Sequence, residues 1–176
     1  MIKMRVAIAV ACATAVISSG AAGAAMLGPD APKCASGDGP AVLVRVTGLK
    51  SRVGKVRVRT FAGANSKNWF DKKFALRRAE VDIPDAGSVD VCMTVPQVGG
   101  YVVDVRHDIN NNGSTDRADG AGASGNPTSS LFAFLLGKRP PASKVVVQVG
   151  EGVTTVPIVA KYLQGGSFQP VQVTAR

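Results

Sequence analysis

Apolar and polar residues alternate along most of this chain with a period of two, the period of an extended strand. In Ala41–Thr47, Val42, Val44 and Val46 share one face. Lys55–Phe61 repeats the pattern, with Val56 and Val58 inward and Lys55, Arg57 and Arg59 outward as a basic stripe. Arg77–Ile83 is a third predicted strand, stopped by Pro84-Asp85-Ala86-Gly87. Ser88–Val95 is a fourth, with Val89, Val91, Met93 and Val95 on one face and Cys92 on the other. Gly100–Asp108 is a fifth. Tyr101, Val103, Val105 and His107 form one face; Val102, Asp104, Arg106 and Asp108 form the other. Leu131–Leu136 is a short apolar run, strand or buried loop. Lys144–Val149 and Val153–Tyr162 are two more strands around Gly150-Glu151-Gly152, a hairpin signal, and Pro157 argues for an edge position in the second.

The connecting segments lack this period. Met26–Pro40 is rich in Gly, Pro, Ala and Asp and reads as an extended lead-in. Ala62–Lys73 is an irregular crossing that carries Trp69 beside Phe70, with room for a short helical turn over Trp69–Leu76. Trp69, Phe70 and Phe74 read as a plug over an open end of the core rather than a stacking platform. Gln164–Arg176 reads as a loosely held polar tail. About seven short strands, close turn signals, no long helix and no repeat predict an all-β fold. The expected architecture is an antiparallel β-sandwich, Ig-like or transthyretin-like, over residues 41–163. With 45% hydrophobic but only 5% aromatic residues, valine, alanine and leucine must fill the core.

The N-terminus changes the picture. Residues 1–25 have the layout of a secretory signal peptide: Lys3 and Arg5, an apolar Val6–Ile17, then small residues with cleavage choices after Ala24 or Ala25. The apolar run is shorter than the roughly 20 residues of a membrane span, and Cys12 follows Ala-Val-Ala, a poor lipobox. The chain is therefore expected to be periplasmic or extracellular, with no transmembrane helix once the leader is removed. Cleavage leaves 19 of the 21 Lys and Arg against 12 Asp and Glu, a formal charge of +7. Cys34 and Cys92 remain. In an oxidising compartment they most simply form one disulfide that staples the lead-in to the fourth strand; two free thiols are the alternative.

Chemistry concentrates after the fifth strand, in Asp108–Asp119 (D-I-N-N-N-G-S-T-D-R-A-D). Asp108, Asn110, Asn112, Ser114 (through its carbonyl), Asp116 and Asp119 stand at positions one, three, five, seven, nine and twelve of a calcium loop. Gly113 stands at its sharp turn. Asp119 in place of the usual glutamate resembles the calcium loops of dockerins, although flanking helices are absent. Two readings are open: a calcium-stabilised loop, or a polar hairpin in which Asn112-Gly113 is simply a tight turn.

The same segment carries a family resemblance. Gly100-Tyr101 enters the strand; His107-Asp108-Ile109-Asn110-Asn111-Asn112-Gly113-Ser114-Thr115-Asp116 forms the loop; Gly125-Asn126-Pro127 follows; Val153–Tyr162 ends at a tyrosine; and Val44-Arg45-Val46-Thr47-Gly48-Leu49 opens the region. Together, over about Ala41 to Leu163, these resemble the bacterial exported family catalogued as domain of unknown function 2141. The resemblance implies the fold and export; it implies no activity. After Pro127 the chain departs from the family pattern, since Thr128-Ser129-Ser130-Leu131-Phe132 carries no acid.

Other candidates are weaker. Gly120-Ala121-Gly122-Ala123-Ser124-Gly125 is a literal G-x-G-x-x-G, but it follows a loop and opens no helix, so a flexible linker is the better reading. Ser124 lacks the G-x-S-x-G frame, because Asn126 occupies the final position. His107 is the one histidine, and its phase suits support of the loop; a hydrolase would have to use it with Asp104, Asp108 or Asp116. Between Ala41 and Glu80 eleven Lys and Arg face only Asp71 and Glu80, a local excess of nine. That face suits anionic lipid headgroups or acidic polysaccharide, or it is merely solvated; nucleic acid is a poor partner for an exported chain. The expected function is a non-enzymatic envelope module for binding or accessory use, with an envelope hydrolase as the alternative.

Overall fold

The structure, a computed structural model, describes residues 25–128 and 136–171. The signal peptide read over residues 1–25 falls almost entirely outside them, as does most of the apolar run 131–136. The described chain is mostly β, in two sheets. Strands β1 (Met26–Leu27), β2 (Ala41–Thr47), β5 (Val89–Thr94) and β9 (Val153–Val159) form the smaller sheet in the order β1-β5-β2-β9. The larger sheet joins β3 (Lys55–Ala62), β4 (Arg77–Asp82), β6 (Gly99–Asp108), β7 (Gly120–Ala123), β10 (Lys161–Gln164) and β11 (Ser167–Pro170), in the order β11-β10-β7-β6-β3-β4. In addition, β8 (Val147–Val149) pairs β6 at its start.

The larger sheet is antiparallel throughout. The smaller sheet is mixed: β2 is antiparallel to β5 but parallel to β9, and β1 is parallel to β5. One core cluster draws on both sheets. It holds Val42, Val44, Val46, Val89, Val91, Met93, Val156 and Ile158 from the smaller, and Val56, Val58, Val103, Val105 and Tyr162 from the larger. For β2, β3, β5 and β6 these are the faces that strand alternation groups together. Burying a valine fully contributes roughly 1.5–3 kcal/mol, so the valine ladder offsets the scarcity of aromatic residues.

Several expectations change. The lead-in is not extended throughout: Ala31–Ser36 forms helix α1, with Pro32 in its first turn and Gly37 capping it in the left-handed region. Cys34 on α1 is bonded to Cys92 on β5, on the face of β5 opposite the shared core. The expected hairpin around residues 150–152 does not form. Residues 142–145 make a short helix, α2; β8 then joins the larger sheet, whereas β9 joins the smaller. The predicted strand Val153–Tyr162 is two strands that break at Ala160, whose N–H donates to the Thr47 carbonyl at 2.8 Å. Pro157 does lie on an edge strand. The tail is held as far as Pro170, because β11 folds back antiparallel on β10.

The aromatic crossing plugs no end of the core. It forms two 3₁₀ turns, Ser66–Asn68 and Lys72–Phe74. Trp69 is buried with Phe61, Val102 and Val145 in a second cluster. Phe61 and Val102 belong to the outward phase of β3 and β6, so this cluster covers the outer face of the larger sheet. Phe74 is exposed. No helix among the described residues is long and apolar enough to cross a membrane.

Candidate functional site at the Asp108–Asp119 loop

Strand β6 delivers the loop from a fixed base. The turn before β3 packs beneath it, and Gly54, at φ +82°, is required there: a Cβ would lie 2.0 Å from the Asp108 carbonyl oxygen. His107 closes the same base from the core side. It is fully buried, with Nε2 2.8 Å from the Val53 carbonyl and Nδ1 2.6 Å from Tyr162 Oη. A carbonyl only accepts, so Nε2 carries the proton. In the neutral ring Nδ1 then accepts from the Tyr162 hydroxyl, whose oxygen accepts the Lys50 N–H at 2.9 Å. Every donor and acceptor in that chain is satisfied. Burial raises the Tyr162 pKa, with Asp119 pushing the same way and the Lys50 N–H opposing.

Alternation places the Asp108 side chain on the other face of β6. Its carboxylate is buried and accepts the N–H groups of Asn112 (3.2 Å) and Gly113 (2.9 Å), and a hydrogen bond from Arg106 Nη2 at 3.1 Å. Asn110 Oδ1 accepts the Asn112 N–H, and Asn112 Oδ1 accepts the Ser114 N–H. Their amide nitrogens both donate to Asp116 Oδ2. Asp116 is exposed; the Ala118 N–H, then the Asn110 amide, hold its pKa below the usual carboxylate value. Asp119 is buried and accepts from the Ile109 and Asp116 N–H groups. Gly113 (φ +74°) and Asn111 (φ +54°) make the turns in the left-handed region.

Thus Asp108, Asn110, Asn112, Ser114 and Asp116 are tied into one hydrogen-bonded loop, and Asp119 locks its exit to its entry. Among the described residues no three His, Cys, Asp or Glu side chains gather closely enough to hold a metal ion by themselves. A calcium site also draws on amide and carbonyl oxygens, which Asn110, Asn112 and Ser114 carry. His107 is separated from Asp104 and Asp108 by the strand itself, and its ring nitrogens bond to Tyr162 and Val53, not to a carboxylate. His107 therefore shares no hydrogen bond with Asp104, Asp108 or Asp116.

The family model for domain of unknown function 2141, described as an uncharacterized protein conserved in bacteria, matches residues 44–157. That is well over half of the chain. The chain belongs to this family. No curated protein and no solved structure matches it.

In this family member the glycine-rich segment after the loop is no linker. It is β7, and its glycines face close neighbours: a Cβ on Gly120 would meet the Tyr162 ring at 2.7 Å, and one on Gly122 would meet Ile158 at 2.6 Å. Ser124 is buried; its Oγ donates to the Val145 carbonyl and accepts the Val103 N–H. Of Thr128–Phe132, where the chain departs from the family pattern, residues 129–132 lie outside the described residues.

The basic stretch is less basic in space than in sequence. Five of its eleven cations are paired, with carboxylates mostly from outside the stretch: Arg45 with Asp90, Lys55 with Asp82, Arg59 with Asp104, Arg77 with Asp30 and Arg78 with Glu80. Arg59 keeps the outward phase of the stripe but is buried. It grips Asp104 and donates to the Phe70 carbonyl, and Phe70 takes a positive φ of 67°. Sequence reasoning missed Tyr162, Val53 and Arg106 as partners of the loop base. The tyrosine at the end of the last predicted strand was the one signal available.

Proposed function

We propose that this protein is an exported, non-catalytic β-sandwich module of the bacterial envelope, periplasmic or extracellular. In this reading its Asp108–Asp119 loop takes up calcium and its basic face meets an anionic envelope component, a lipid headgroup or polysaccharide. The observation that carries the non-catalytic reading is the sealing of His107, which has no free nitrogen and no exposure. The Cys34–Cys92 disulfide supports export, because such bonds persist in oxidising compartments. The leader-like N-terminus supports it too. Calcium would be held by Asp108, Asn110, Asn112, Asp116, Asp119 and the Ser114 carbonyl, and would serve to fix the loop.

The test is a thermal melt of the purified protein in EDTA and then in millimolar calcium. A ligand that binds only the folded state at 100 times its Kd adds about 2.7 kcal/mol, which raises Tm by several degrees. The rise should vanish in Asp116→Ala, whose side chain is exposed and whose hydrogen bonds all lie within the loop. An unchanged Tm in the wild-type protein removes calcium from the proposal. Export is checked by N-terminal sequencing of the envelope fraction, where the chain should begin at Ala25 or Met26. An intact leader on a cytoplasmic chain with free thiols would defeat it.

A further inference from the structure

We propose that Arg57 anchors an oxyanion-binding site, best matched by a phosphate group, on the outer face of the larger sheet. The proposal deepens the anionic-partner part of the reading above and rests on it for the ligand's source.

Across the sheet, Arg57 on β3 lies between Glu80 on β4 and Arg106 on β6. The next outward row is Arg78, Arg59, Asp104. Four guanidiniums therefore share this patch. Three have carboxylates: Arg59 has Asp104, Arg78 has Glu80 and Arg106 has Asp108. Glu80, directly across from Arg57, is taken by Arg78. The Arg57 side chain makes no hydrogen bond or ion pair among the described residues, and its Nε is buried without a partner. The Nε of Arg106 is buried and unpartnered too, on a residue only 4% exposed. The other Arg106 nitrogens are spent on Thr115 and Asp108.

A buried N–H without a partner is destabilising, and an uncompensated charge is more so. The patch is short of one negative charge at a place where two N–H groups of neighbouring strands lack acceptors. Burial, then Arg59, lowers the Arg57 pKa to about 10, which leaves it charged at neutral pH. Arg57 is only half-buried, so an anion can approach from solvent while attached to something larger. A guanidinium fork suits both carboxylate and phosphate. Donors arriving from two strands favour phosphate, which has more oxygens to offer.

The experiment is a titration of the full-length mature protein with inorganic phosphate, read by calorimetry and by the Nε–H resonances of its arginines. Sodium chloride at matched ionic strength is the control. Two buried Nε–H signals should move saturably with phosphate and not with chloride. Arg57→Gln should weaken binding about tenfold or more, equivalent to ~1.4 kcal/mol, with Tm unchanged or raised because an unpaired charge is gone. Arg57→Lys keeps the charge but loses the fork and should also weaken it. Lys67→Gln, on an exposed side chain that bonds to none of the patch residues, should leave it unchanged. No saturable shift at tens of millimolar phosphate, or equal binding by Arg57→Gln, overturns the proposal. The wild-type resonances decide the matter even where a variant misfolds. Co-sedimentation with phosphatidylglycerol vesicles, against phosphatidylcholine, separates a headgroup from a free phosphate. Vesicle binding that survives Arg57→Gln with no phosphate response would refute this site while leaving the basic face intact. Phosphate binding without vesicle binding would keep the site and discard headgroup docking.

Discussion

At the scale of single residues, the hydrogen-bond chain Lys50 N–H to Tyr162 to His107 to Val53 does the work that a catalytic reading would ask of the histidine. Tyr162→Phe leaves His107 Nδ1 and the Lys50 N–H without partners. It should cost about 1–3 kcal/mol, measured as a drop in the urea midpoint at pH 7. The pH dependence follows from the raised Tyr162 pKa. In the unfolded chain tyrosine loses its proton near pH 10; in the folded chain it holds it longer. The unfolded state then binds fewer protons, so the tyrosine's contribution is complete below about pH 10 and is lost as pH rises through the folded value. Wild-type protein should lose more stability than Tyr162→Phe between pH 9 and 11 (equal loss would refute the assignment). Strand phase alone gave His107 its core-facing side. It could not give Tyr162, because a contact between strands distant in sequence leaves no periodic trace.

At the scale of elements, alternation identified β2, β3, β4, β5 and β6 to within about a residue at each end, since each has one wet or crowded face and one dry one. It failed where tertiary context decides. Nothing in Val153–Tyr162 marks the break at Ala160, and helix α1 hid in a Gly- and Pro-rich stretch. Asp30 explains why that helix holds. Its carboxylate makes no cap to its own helix. Instead it accepts the N–H and hydroxyl of Thr94 on β5, each at 2.9 Å, and pairs with Arg77 on β4. Burial alone would raise its pKa, but the Thr94 N–H and Arg77 outweigh it and the net direction is down. The resulting stability is present above the unfolded value of 3.8 and is lost as pH falls through the lower folded value. Asp30→Asn should therefore be less stable at neutral pH and should show a smaller further loss on acidification below pH 4. Urea midpoints at both pH values check this; parallel losses in the two proteins would count against the latch.

At the scale of the whole molecule, the covalent strap and the candidate ligand loop sit on different sheets. Cys34–Cys92 fastens α1 to β5 of the smaller sheet, across 58 residues of sequence. Asp108–Asp119 and the Arg57 patch belong to the larger. A cross-link acts mainly on the unfolded chain, and closing a loop of that length is worth ~4 kcal/mol by the chain-entropy estimate. The paired variant Cys34→Ser with Cys92→Ser should lose roughly that much in urea unfolding, a large share of the 5–15 kcal/mol typical of a domain. Among the described residues no hydrogen bond joins the Asp108–Asp119 loop to the strap, so the calcium-induced rise in Tm and the phosphate response of the arginine Nε–H groups should persist in whatever fraction remains folded. A variant that stays folded yet loses either response would show that the smaller sheet sets the geometry of the larger one through the shared valine core. The two candidate sites would then have to be treated as one cooperative unit.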